Sequence, residues 1–147
     1  MKTFLKLLAV LPLAIGHSLS IQAQQYQPVA LLTGGTANIS GSATSNYTHV
    51  VNVRGADNVG LYASWSIGSA STDDVIFKLS KSANGAVFET TPSVLITNVC
   101  DGTNVVKYFN AISTLGVHSL QLSSIVNGAT NFLTNLTVTV GVKNFFR

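Results

Sequence analysis

Charge is the scarcest ingredient of this chain. Asp, Glu, Lys and Arg make up 9% of its 147 residues, against about a quarter in an ordinary globular protein. The five acids are Asp57, Asp73, Asp74, Glu89 and Asp101. General acid–base work by paired carboxylates needs two acids held apart across a cleft. Adjacent Asp73 and Asp74 point to opposite faces of an extended chain, so the acids read as polar turn residues. Histidine is as rare, with His49 and His118 the two beyond the N-terminal segment. Each stands in phase with apolar neighbours, which reads as a partly buried strand residue rather than a base. No G-x-S-x-G or S-x-x-K nucleophile motif occurs. The chain is expected to be no enzyme and to carry no cofactor.

Cysteine is nearly absent too. Cys100 stands alone, so no internal disulfide can form, and no His/Cys pair has zinc-ligand spacing. In an oxidising compartment it is either an intermolecular cross-link or reactive thiol, or a small buried apolar residue at a strand end. Calcium is the one metal the acids point to. Asp101-Gly102-Thr103-Asn104 offers oxygens on a turn, and Asp73 and Asp74 add carboxylates if the loops meet. Six or more oxygens are wanted, and an Asp-Gly turn is commonplace in hairpins, so no metal is expected. The basic residues are scattered and not interleaved with aromatics, which argues against nucleic acid.

One apolar run does exist. Lys2 and Lys6 precede Leu7–Ile15, and a more polar stretch follows up to Ala23. This has the tripartite form of a Sec signal peptide, a signal helix over 1–23 cleaved near Ala23. The run is about half of the ~20 residues that span a bilayer, and Pro12 interrupts it. The membrane is thus met only during export, and the protein is expected to be secreted, periplasmic or displayed at the cell surface. Without Lys2 and Lys6, six basic residues face five acids, so the working domain, 24–147, is nearly neutral.

What is abundant is Ser, Thr, Asn and Gly between short alternating stretches. The clearest is Val59–Ile67, with Leu61, Ala63, Trp65 and Ile67 on one face and Tyr62, Ser64 and Ser66 on the other. Asp74–Thr90 reads as a β-hairpin, Asn84-Gly85 supplying its turn and Val87-Phe88 beginning the return strand. Tyr47, His49, Val51 and Val53 share a face. So do His118, Leu120 and Leu122 before a turn at Asn127-Gly128, and Phe132, Leu136, Val138, Val140 and Val142 after it. Eight or nine short strands with no amphipathic helix predict an all-β fold, an antiparallel β-sandwich or jelly roll. A small outer-membrane β-barrel is the rival architecture, although several strands fall short of the ~9–11 residues a membrane strand needs, and no pair of aromatic girdles is visible. Three N-x-S/T sequons, at Asn38, Asn46 and Asn135, are expected by chance in so Asn- and Thr-rich a chain.

The segment Phe77–Phe88, with its Ser82-Ala83-Asn84-Gly85-Ala86-Val87-Phe88, resembles a hairpin of uncharacterised β-sandwich proteins of phages and environmental bacteria. Leu120–Ser124 and Thr134–Lys143 are similar to their closing strand-turn-strand. This resemblance, over Asn46–Lys143, implies a virion or surface structural component and brings no catalytic residues. The expectation is therefore an exported, non-enzymatic structural protein whose partners are copies of itself or other structural subunits. Its contact elements would include the polar arm 24–28, the Phe145-Phe146 tail and Cys100. A glycan-binding module using Tyr62 or Tyr108 is the alternative. Trp65 is excluded as a sugar platform because its phase puts it in the core.

Overall fold

The computed structural model describes residues 26–32, 38–69, 72–99 and 103–143. Eight strands run through them: β1 (Tyr26–Leu32), β2 (Ala43–Asn52), β3 (Asn58–Ile67), β4 (Asp74–Ser82), β5 (Val94–Val99), β6 (Asn104–Ser113), β7 (Ser119–Asn127) and β8 (Leu133–Lys143). The described residues contain no helix. The signal segment and its Ala23 boundary lie outside them.

The strands form two antiparallel four-stranded sheets, ordered β1-β8-β3-β6 (sheet I) and β2-β7-β4-β5 (sheet II). The order has a simple origin. The chain is one long antiparallel ribbon folded at its middle, with β4 paired to β5 at the tip, then β3 to β6, β2 to β7 and β1 to β8. Rolling the ribbon around a core brings β8 beside β3 and β7 beside β4. This is the connectivity of a jelly roll. The barrel alternative requires a single closed sheet, and the two open sheets here, with apolar faces turned towards one another, exclude it.

The core follows from the period-2 alternation. Leu61, Ala63, Trp65 and Ile67 from β3 and Leu136, Val138, Val140 and Val142 from β8 meet Val75, Phe77 and Leu79 from β4 and Leu120, Leu122 and Ile125 from β7. Trp65 and Phe77 touch across the two sheets, ring centroids 5.7 Å apart and tilted by 47°, a geometry that adds to their area burial.

Local irregularities correct the sequence expectations. The Asn84-Gly85 turn exists, with Gly85 at φ +80°, but Val87-Phe88 does not start a strand. The partner of β4 is β5, beyond a connection spanning 83–93. The reason is local. Asn84 Oδ1 accepts from the backbone N–H of both Ala86 and Val87 at 2.9 Å, which curls the chain and delays re-pairing. In β2, His49 keeps the expected phase, pairing with buried Leu122 as Val51 pairs with Leu120, but on this edge strand it is exposed rather than partly buried. In β8, Asn135 takes φ +52° and the β3 pairing slips between Ser64 and Ser66. The extra residue moves Leu133 inside and leaves Phe132 59% exposed, although simple alternation put Phe132 in the core.

Asn127-Gly128 is likewise no hairpin turn, because β7 and β8 belong to different sheets. Asn127 is fully buried. Its Nδ2 donates to the carbonyls of Ile39, Ser40 and Asn131, and its Oδ1 accepts from Ala129 N–H. One amide thus ties the segment before β2 to the crossover between the sheets. Gly128 passes so near β4 that a Cβ would lie 2.8 Å from the Asp74 carbonyl oxygen.

Candidate functional site

Three turns converge at one end of the sandwich: 53–57 between β2 and β3, 83–86 after β4, and 114–118 between β6 and β7. Together they line an open cleft of about 510 Å³ whose polar walls include Arg54, Asp57, Asn84, Thr114 and His118. Internal hydrogen bonds hold it. Thr114 Oγ1 donates to the Ala56 carbonyl at 2.6 Å. His118 N–H donates to the Ser82 carbonyl at 2.8 Å, and Val53 N–H donates to the His118 carbonyl at 2.9 Å. The Ser82 hydroxyl accepts from Gly85 N–H at 2.9 Å. The His118 ring lies against Gly85, where a Cβ would come within 2.6 Å of Nδ1. A glycine is therefore required there both by the left-handed backbone and by the imidazole.

The cleft brings His118 and Asp57 to one site, but the imidazole Nδ1 is hydrogen-bonded to the neighbouring Ser119 hydroxyl at 2.8 Å rather than to an acid. The site offers a cation, an acid, an imidazole and an amide on fixed turns. That suits recognition of a polar molecule more directly than proton transfer.

The other candidate residues are dispersed. Tyr62 is 41% exposed on the outer face of sheet I, opposite Tyr108 in β6 and Thr139 in β8. Asp73 and Asp74 are exposed at the start of β4, and the Asp74 carbonyl accepts from Gly128 N–H at 2.8 Å. Cys100, Asp101, Phe145 and Phe146 lie outside the described residues. His49 packs its ring near Tyr47, centroids 6.1 Å apart. Burial pushes the Tyr47 phenol up from its ordinary pKa, an effect partly offset by its hydrogen bond with Ser45.

Composition hinted at one surface without locating it. On the outer side of sheet I, Ser64 stands opposite Thr137, Tyr62 opposite Thr139, Ser66 opposite Thr134 and Gly60 opposite Gly141. No residue from Asn58 to Ile67 or from Leu133 to Val142 carries a charge. The two central strands therefore present an uncharged face of partly exposed hydroxyls around the exposed Tyr62, with Gly60 and Gly141 themselves buried. Sheet II differs: its β4 carries Asp74, Lys78 and Lys81.

The cleft was missed at the sequence level because its three turns are remote in the chain. The signal was a glycine with positive φ in each turn, Gly55, Gly85 and Gly116. Such glycines announce turns, but not that the turns meet.

No family model and no curated protein matches the sequence. Among solved structures, the chain is similar to one in the structure of infectious bursal disease virus, Gx strain, at 12% identity and a TM-score of 0.49, over 84% of this chain and 33% of that one. A chain of the T13 particle of the same virus is similar at 11% identity and a TM-score of 0.45, over 81% of this chain and 31% of that one. The Yersinia pseudotuberculosis-derived mitogen is similar at 13% identity and a TM-score of 0.33, over 85% of this chain and 92% of that one. This chain thus spans about a third of the length of the two viral chains. Its resemblance to these viral chains is weak.

Proposed function

We propose that this protein is an exported, non-enzymatic structural subunit that packs against copies of itself or other subunits in an extracellular, cell-surface or virion assembly. The observation that carries the reading is the outer face of sheet I. Rows of Ser and Thr around Tyr62 across β3 and β8 offer an uncharged surface to a neighbour. They bring no ions whose desolvation would oppose contact. A soluble sheet face usually carries mixed charge to keep copies apart, and this one does not. The leader-like segment 1–23 supports export, and the near-neutral domain after it removes long-range repulsion between copies.

The test is the solution mass of the secreted, tag-free protein by light scattering over a concentration series, with and without reductant. Particles that grow with concentration are expected, and T137K together with T139K should suppress them while the circular dichroism spectrum is kept. Particles that dissolve only in reductant would place the contact at Cys100 instead. A monomer at every concentration would overturn self-assembly.

The cleft favours one second reading, a glycan-binding module. Its observation is the fixed polar lining of Arg54, Asp57, Asn84 and His118. Tyr62 lies on the sheet I face, outside the cleft lining, so stacking from Tyr62 would not serve the same ligand. A glycan array probed with the wild type and with N84A separates the readings: binding lost in N84A supports the cleft, and no binding discards it.

A further inference from the structure

A β-sandwich has four edge strands, and each presents unpaired N–H and C=O groups to any extended chain. Here the edges are β1 and β6 in sheet I and β2 and β5 in sheet II. Three carry a device that discourages pairing. β1 contains Pro28, which has no N–H to donate. β2 is bulged between Asn46 and His49. β6 carries Lys107 and a register shift opposite Val59 and Leu61.

β5 has none of these. Its six residues, Val94-Leu95-Ile96-Thr97-Asn98-Val99, are uncharged and lack proline, and its register with β4 runs unbroken from Leu79↔Val94 to Asp74↔Val99. Among the described residues no other segment pairs with its free side. Two of its three outward side chains are apolar, Leu95 61% and Val99 40% exposed, and the third is Thr97. A short uncharged β-former with no proline is the composition that pairs with itself.

We infer that β5 is a docking edge for β5 of a second copy, joined antiparallel about a two-fold axis so that two sheets II become one continuous eight-stranded sheet. This rests on the reading of the chain as an assembling subunit and names one of its contacts. A second copy fits better than a charged partner because the edge has no charge to complement. The pairing has a fixed parity. A two-fold normal to the sheet keeps outer faces together, so an outward residue must meet an outward residue, one of Leu95, Thr97 or Val99. The register that sets Leu95 against Val99 of the other copy matches apolar side chains and puts Thr97 opposite Thr97. Threonine–threonine and aliphatic pairs are both favourable cross-strand neighbours. Such a contact is isologous and closes on itself as a dimer, so growth of a larger assembly requires another surface. The face of sheet I is a separate surface of that kind.

Two variants of the full secreted protein test this. T97K places a charge at the centre of the pair without touching the core, and by sedimentation it should lose the dimer that the wild type shows while keeping the native spectrum. T97C in a C100S background should form an intermolecular disulfide under mild oxidation, because opposed Cα atoms in such a pair lie about 4.5–5.5 Å apart. T44C on the bulged β2 edge should not. If wild type assembles, and T97K assembles equally with no cross-link through residue 97, the β5 contact is overturned and the assembly reading survives. If wild type remains a monomer at all concentrations, both fall.

Discussion

The two sheets share one core and differ in the charged and apolar residues that face water. Sheet I turns Ser64, Ser66, Thr134, Thr137 and Thr139 outward from strands whose paired central registers hold no charge. Sheet II turns out Lys78 from β4 and the exposed Leu95 and Val99 from β5. Inner faces are under a common constraint, since each must fill the same space with apolar volume. Outer faces are free of it, and what they carry therefore speaks to contacts beyond the chain. In sheet I the distinctive feature is a face; in sheet II it is an edge.

The strongest way to probe what the sheets share is to cut the pair that joins them. W65A or F77A should each destabilise by about 3–5 kcal/mol, measured by denaturant unfolding. The double variant should lose less than the sum, because the rings touch. Fully additive losses would mean that the two sheets are not coupled through this contact.

Asn127 is the next largest expected effect, and it belongs to the crossover rather than to either face. N127A leaves the buried Ala129 N–H without its acceptor and removes the donor to the Ser40 and Asn131 carbonyls, while the Ile39 carbonyl keeps its bond from Leu133 N–H, at a cost of about 1–3 kcal/mol. The loss should appear as faster amide exchange around Ile39 and Ala129, with the β4–β5 amides unaffected.

G85A probes the cleft end. The left-handed backbone and the close His118 ring predict a loss of about 1–2 kcal/mol. A second substitution, H118A, should recover the part due to the ring. No recovery would assign the whole effect to the backbone.

The smallest expected effect lies beside the β5 edge. Hydrogen bonds from the Ser93 hydroxyl and from Lys81 N–H lower the pKa of exposed Glu89. A depressed carboxylate contributes stability that is present above its unfolded pKa and lost as pH falls through the folded one. Because the group is exposed, screening should hold the contribution below about 0.5 kcal/mol. E89Q should therefore lower the midpoint slightly at neutral pH and converge with wild type in acid. A gap that widened in acid would contradict the assignment.

Much of the fold was legible from period alone. Period places Trp65 inside and Tyr62 outside in β3, and the burial from Leu61 to Ile67 follows that alternation. Elsewhere reading failed wherever one extra residue shifted the phase. Asn135 moved Phe132 out and Leu133 in. Asn84 was read correctly as a turn former, yet its bonds to Ala86 and Val87 postponed the return strand to Val94. The site was less legible than the fold. Each glycine turn could be seen singly, while the cleft exists only because the rolled ribbon brings three turns to one end.

By itself, then, the sequence determined that this is an all-β chain of short strands with a neutral, hydroxyl-rich exterior, because composition and alternation act locally. Tertiary structure alone decided which strands became edges, which hydroxyls came to share one uncharged face, and where Asn127 and His118 found their partners. Those outcomes depend on pairings between residues tens of positions apart, which are chosen by how the ribbon rolls around Trp65 and Phe77 and leave no mark in any single stretch of chain.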